Sequence, residues 1–229
     1  MKKGKVMIGI ILVAIVALVA WRLFFPNILA ENAAPEDVSK GTVSMNEGGN
    51  ILVAYFSLTG NRIYTTEVDA VTLASLNIQD GEVLGNAEIL ARAARETTGG
   101  DIFFIEVSEK YPESFDGTSE RSSTEQSQDA RPELAAHVEN IDQYTTVILV
   151  SPTWWGALPQ AVLTFLEEYD FSGKTIIPIA TSQGSGLGTG PRQITAACPD
   201  AIVEEGLSAN DVSDVTEFLQ DMGLAQQSL

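Results

Sequence analysis

Ser57, Leu58, Thr59, Gly60 and Asn61 follow directly on the apolar run Ile51 to Phe56. Hydroxyls donate to an anion and glycine lets backbone amides close on it, so a buried strand running into such a loop points to a phosphate site. A nucleoside triphosphate loop would place lysine after the glycine to meet the outer phosphates. Here Asn61 and Arg62 follow Gly60. A loop of hydroxyls and amides suits a single phosphate monoester.

Flavin mononucleotide carries one such group. Two more stretches follow apolar runs further on, Ser151-Pro152-Thr153-Trp154-Trp155-Gly156 and Thr181-Ser182-Gln183-Gly184-Ser185-Gly186. With the first they resemble the flavodoxins, whose first strand commonly ends in Ser/Thr-x-Thr-Gly-Asn-Thr. Five of those six positions match and the last departs, with Arg62 for Thr. The resemblance covers roughly Asn50 to Leu224.

It implies FMN as cofactor and a set of contacts. Ser57, Leu58, Thr59, Gly60 and Asn61 would form the phosphate loop, joined by Asn86 at the start of the first helix. Pro152, Thr153, Trp154, Trp155 and Gly156 would lie beside the ring, and Thr181, Ser182, Gln183, Gly184 and Ser185 along its pyrimidine edge. An isoalloxazine is a flat apolar surface with polar edges, so it needs aromatic stacking and a few backbone hydrogen bonds. Adjacent loop side chains point different ways, so one tryptophan is expected on the flavin and one in the core. In this family a peptide near the ring can reorient as the ring is reduced, and Gly156 would permit either orientation. Arg62 could reach back to the phosphate or point to solvent, and solvent is the favoured side, since the family's phosphate site does not usually require a cation.

The resemblance implies electron transfer, with the protein supplying orientation and electrostatics and no catalytic side chain. An acidic domain disfavours further negative charge on the flavin, which implies a low potential. Two alternatives stay open: an NAD(P)H-dependent quinone or flavin reductase, and a flavin-free binding module. A tryptophan covering the ring would favour the carrier and an open face the reductase.

Other chemistries find little support. His137 is the only histidine and Cys198 the only cysteine, so no His-rich metal site and no intrachain disulfide are expected. The setting of His137 reads as a helix surface. The formal net charge is −18. Residues 1 to 49 hold five Lys/Arg and four Asp/Glu, leaving eight against 27 afterwards. That acidity disfavours nucleic acid and suits redox partner proteins with a basic docking face, or serves solubility alone.

Lys2, Lys3 and Lys5 precede an apolar stretch from Val6 to Phe25 broken only by Arg22. About 20 such residues suffice to span a bilayer, with arginine snorkelling at the end. Residues 1–26 therefore read as a membrane anchor or a cleaved signal, with the rest of the chain on the extracytoplasmic side or secreted. Residues 27–49 read as a flexible tether, 50–224 as the domain and 225–229 as a tail.

Strands and helices alternate along the domain, which implies an α/β fold. Strands are expected at Ile51–Phe56, Asp101–Val107, Thr145–Val150, Thr175–Ala180 and Ala201–Leu207. Helices are expected from Asn86 to Gly99-Gly100, as a solvated stretch within 111–131 over Phe115, from Pro132 to Val138, from Pro159, at Pro191–Ala197 and at Asn210–Met222. The flavodoxin resemblance implies a doubly wound five-stranded parallel sheet, order 2-1-3-4-5, with helices on both faces. Pro178 lacks the amide a central strand donates, which predicts a bulge or a less-paired position. The glycine-rich run Gly184 to Gly190 lacks dinucleotide spacing and follows the fourth strand, so a loop edging the flavin is the better assignment. Residues 62–85 separate the phosphate loop from the helix; their apolar content and Gln79-Asp80-Gly81 predict a hairpin or small subdomain.

Overall fold

The computed structural model describes residues 50–62, 75–79 and 82–226. The anchor or signal segment, the tether, part of the excursion and the last three residues lie outside them. Among the described residues no helix is long and apolar enough to cross a membrane.

Strand β1 (Ile51–Tyr55) leads into the loop 57–61, and a hairpin of β2 (Leu76–Gln79) and β3 (Glu82–Gly85) precedes helix α1 (Asn86–Thr98). Gly99 stops α1 in a left-handed cap at φ 70°, its amide bonded to Arg95 O. The chain continues through β4 (Asp101–Phe104), α2 (Phe115–Ser127), β5 (Thr146–Pro152), α3 (Gln160–Glu168) and β6 (Thr175–Thr181). Helix α4 (Gly190–Ala197), short strands β7 (Ile202–Val203) and β8 (Leu207–Ser208), and α5 (Val212–Asp221) complete it.

The main sheet runs β4-β1-β5-β6-β7 with β8 also beside β6, and each of its pairings is parallel. With β7 and β8 as two halves of a fifth strand, this is the 2-1-3-4-5 order. The break between the halves has a cause in Pro178. Ile176 O and Ala180 O accept from Glu204 N and Ala209 N, so even-numbered residues of β6 face that edge, and at Pro178 the strand has no amide to offer. The edge strand leaves the ladder there and Gly206, at φ 77°, packs against Pro178.

Alternate residues of the strands feed two cores. Leu52, Ala54, Val147, Leu149 and Ile176 pack with Ala161, Val162, Phe165 and Leu166 of α3. Val53, Tyr55, Ile148, Val150, Ile177 and Ile179 pack with Leu90 and Ala94 of α1 and Val215 and Leu219 of α5. Each such Leu, Ile or Val is essentially inaccessible, worth roughly 1.5–3 kcal/mol in burial. Helices therefore cover both faces.

Two expected elements differ. No helix forms from Pro132: Ser108 N donates to Glu133 O and Ala135 N to Glu106 O, so these backbone groups pair with the chain beyond β4. His137 consequently lies in an irregular segment, paired with Glu168 at the end of α3. Helix α2 is polar as expected, yet it buries Thr118, Ser122 and Glu125, and leaves Phe115 exposed instead of covering it.

Candidate functional site

The loops after β1, β5 and β6 meet at the carboxyl ends of parallel strands, beside the point where the strand order reverses. Asn61 holds the first of them from within. Its amide nitrogen donates to Ser57 O and Ile105 O at 2.9 Å each, and its side-chain oxygen accepts from Val107 N at 2.8 Å. Fully buried, it ties the loop to the neighbouring chain and spends its side chain there. Gly60 sits at φ 83°, and a Cβ would stand 2.9 Å from the Phe104 ring.

The hydroxyls of Ser57 and Thr59 are buried and have no hydrogen-bond partner among the described residues. They point at the N-cap of α1, where a Cβ on Gly85 would overlap Ser57 Oγ and stand 3.0 Å from Thr59 Oγ1. Two orphaned donors beside a helix N-terminus form a receptor for a small anion. Asn86 begins that helix, but its amide is taken by Ser75 O at 3.0 Å. Glu88, the acid of the first turn, is neutralised by Arg92 at 2.7 Å.

After β5, Trp154 and Ala157 exchange two backbone hydrogen bonds of 2.9 Å around Trp155 (φ 53°) and Gly156 (φ 75°). Positive φ at both central residues is a type I′ turn. The tryptophans diverge. Trp154 packs edge-on against Phe56 and Tyr111 at 5.3 and 5.4 Å and donates to Ser75 Oγ at 2.8 Å. Trp155 is 61% exposed and donates to Ser122 Oγ at 3.2 Å, so its ring is available to a ligand.

The freedom expected of Gly156 is absent. Its carbonyl accepts from Thr189 N and Thr189 Oγ1, and the next amide is bonded to Trp154 O. Turning the preceding peptide would convert the turn to type II′ and drive Trp155 into backbone space reserved for glycine. Both peptides are held.

The third loop is self-braced. Pro152 ends β5 buried against Thr181, and Thr153 N donates to Thr181 O. Thr153 Oγ1 donates to Gly186 O, and Ser182 Oγ accepts from Gly186 N. Asn210 clamps the Ser182 backbone from both sides. Thr153 and Ser182 thus shape the loop with their hydroxyls, while Gln183, Gly184 and Ser185 lie exposed at its tip.

Between these loops lies a cleft of about 250 Å³ lined by Leu58, Arg62, Trp154, Trp155 and Gln183. Its far wall is α2, through Phe115, Thr118, Ser119 and Ser122. Arg62 is 5% exposed and lines the cleft, which overturns the expectation that it faces solvent. Behind the floor, Tyr111 donates to Glu125 at 2.8 Å and Arg121 stacks 4.3 Å over the Tyr111 ring while pairing with Glu125. Burial, then the charge of Glu125, holds the Tyr111 phenol far above its ordinary pKa, so it is no acid or base near neutral pH. No group of metal-ligating side chains occurs among the described residues.

Arg62, Ser75 and the hydroxyl stripe of α2 were missed from sequence. The stripe alone had a visible signal, in the helical spacing of Thr118, Ser122 and Glu125.

A doubly wound sheet with an anion-receptive loop and an aromatic cleft at its switch point defines a class of ligand-binding α/β proteins. Within that class, the flavodoxin family profile matches residues 50–222, and the chain belongs to the flavodoxin family. Two crystallised candidate flavoproteins, from Bacteroides eggerthii and Bacteroides uniformis, are 28% and 27% identical to it. Each match covers 76% of this chain, with 98% and 99% of the other, at a TM-score of 0.59. A Lactobacillus acidophilus flavoprotein crystallised in complex with FMN shares the fold at 18% identity and TM-score 0.51, over 74% of this chain and 97% of its own. No curated protein matches the chain.

Proposed function

We propose that this chain is an FMN-binding redox protein that carries electrons at the cell envelope. The carrying observation is the pair of buried, unpartnered hydroxyls of Ser57 and Thr59. An unsatisfied buried hydroxyl costs about 1–3 kcal/mol, and phosphate oxygens are acceptors that would remove the penalty. The cradle beside Gly85 fits a phosphate, and the Trp155 face fits a flat ring. Family membership and the FMN complex of the Lactobacillus protein support the same cofactor.

FMN would supply the redox chemistry when bound. Ser57 and Thr59 would donate to its phosphate, with the α1 dipole favouring the negative charge. Trp155 would offer a stacking face, while Leu58 and Trp154 keep water from the cleft. Gln183, Gly184 and Ser185 would present polar groups to the ring edge. The acidic surface suits a partner protein with a basic docking face, and the Val6–Phe25 stretch carries the envelope location.

One observation favours a second reading, a two-electron NAD(P)H-dependent reductase. The turn at Trp155 and Gly156 is held at both peptides, so it has no backbone adjustment to reserve for a one-electron state, and the loop opposite Trp155 has no aromatic cover. The experiment is an absorption spectrum of the protein purified with FMN, followed by stepwise anaerobic reduction. Retained flavin that reduces in two resolved stages supports the carrier, whereas one stage and direct bleaching by NAD(P)H support the reductase. Absence of flavin, together with a T59E variant that behaves identically, would leave only a flavin-free binding module.

A further inference from the structure

We infer that Trp154 and Tyr111 form a relay that carries a one-electron oxidising equivalent from the cleft into the interior, with Glu125 taking the phenolic proton. The relay needs no bound flavin. Trp154 lines the cleft, and its ring meets Tyr111 edge-on with centroids 5.4 Å apart, inside the range of aromatic contact. Phe56 closes the cluster, 5.3 Å from Trp154 and 6.1 Å from Tyr111. Tyr111 and Phe56 are essentially inaccessible, so a radical on Tyr111 is shielded from water.

The hydrogen bonds set the direction of transfer. Trp154 Nε1 donates to the Ser75 hydroxyl at 2.8 Å, and a neutral hydroxyl is too weak a base to take the proton of an oxidised indole. The Tyr111 hydroxyl instead donates to a buried carboxylate, Glu125 Oε2, at 2.8 Å, within the reach of a positioned base. Arg121 lies 4.3 Å over the Tyr111 ring and donates to Glu125 Oε1 at 2.8 Å. A cation over the ring opposes positive charge on it, so an electron leaves Tyr111 only as the proton leaves too. Tyr144 also donates to a carboxylate, Asp101, at 2.9 Å, but among the described residues the tryptophan ring contacts are with Phe56 and Tyr111.

Electrons and protons balance along the relay. A neutral radical reaching the cleft takes one electron from Trp154 and is reduced to its anion. Tyr111 returns an electron to the indole, and its O–H bond breaks as Glu125 Oε2 gains the proton. Trp154 is restored, and a neutral tyrosyl radical and a protonated Glu125 remain. Such a relay draws radical damage away from the exposed Trp155 and the loops of the cleft.

The test is pulse radiolysis of the full chain carrying W21F, with azide radical as the oxidant, so that Trp154 and Trp155 are the indoles oxidised. The expected result is a first-order phase, independent of protein concentration, in which the indolyl absorption falls as the tyrosyl absorption rises. Deuterium oxide should slow it, because a proton moves in the same step. Y111F and W154F should each lose the phase, E125Q should slow it by roughly a hundredfold, and Y144F should leave it unchanged. Circular dichroism checks the fold of each variant, and should Y111F fail to fold, W154F, E125Q and the isotope effect decide. Persistence of the indolyl radical without transfer overturns the inference. So do an unchanged phase in Y111F, W154F or E125Q, its loss in Y144F, and a rate indifferent to deuterium oxide.

Discussion

The backbone amide and the hydroxyl of Thr189 both donate to the carbonyl oxygen of Gly156, at 2.8 and 3.1 Å. This relationship joins the loop after β6 to the turn that presents Trp155, and it converts a glycine from a hinge into a fixed point. Gln193 extends the brace by accepting from Leu158 N at 2.9 Å.

Gly156 therefore matters for its backbone angle and not for space. A Cβ at this position meets nothing within 4 Å, yet φ is 75°. Gly156→Ala should destabilise the protein by about 1–2 kcal/mol, the usual cost of left-handed geometry for an L-residue. In thermal unfolding that is a drop of roughly 2–4 °C per kcal/mol for a domain of this size. An unchanged midpoint would show that the turn relaxes easily.

The orphaned hydroxyls give a prediction with opposite signs in two assays. Thr59→Val keeps the shape and removes the unsatisfied group, so the flavin-free protein should gain about 1 kcal/mol in urea unfolding. FMN affinity should fall at the same time. Loss of stability in the flavin-free protein would mean that the hydroxyl is already satisfied.

Tyr111 is a structural anchor. Its hydroxyl donates to the buried carboxylate of Glu125, and bonds to charged groups contribute about 1.5–3 kcal/mol. Tyr111→Phe should cost a sum in that range by urea unfolding, because Glu125 would lose a donor while keeping Arg121. A cost under about 0.5 kcal/mol would show that Arg121 suffices.

Cys198 offers a pH test. Burial first, and then Glu167, raise its thiol from 9.0 to about 11. The folded state thus holds the proton more tightly than the unfolded chain. The contribution to stability is complete below pH 9 and is lost as pH rises toward 11. Ultraviolet titration of the thiolate should give a midpoint near 11 in the native protein and near 9 in urea. A native midpoint near 9 would contradict the burial of this thiol beneath α3.

The N-terminal reading is open to a direct assay. With residues 1–26 as an uncleaved anchor, the expressed full chain should remain in the membrane pellet after alkaline carbonate extraction, with its domain accessible to protease added outside. A shortened, soluble product would indicate a cleaved signal, and a soluble full-length chain would exclude both.

Much of the fold was legible because its signals are local. Unbroken apolar runs between polar turns marked the strands, Gly99 marked the end of α1, and Gln79-Asp80-Gly81 marked the hairpin. Pro178 marked a less-paired position in the fourth strand, and the neighbouring edge strand, expected to be continuous, breaks beside it. The segment after Pro132 misled because its backbone groups found partners in residues 106–108, a pairing that no window around 132 contains.

By itself the sequence determined an alternation of strands and helices and the three loops that end its strands, since strand periodicity and loop chemistry are written in neighbouring residues; the doubly wound order was implied by the resemblance those loops carry. Tertiary structure alone decided where side chains point. Asn61 turns inward because Ile105 and Val107 lie across the sheet, and Trp154 is buried because Phe56 and Tyr111 receive it. Arg62 enters the cleft, where Ser75 and the hydroxyls of α2 form the other walls. Those directions depend on contacts between residues far apart in the chain, and only packing sets them.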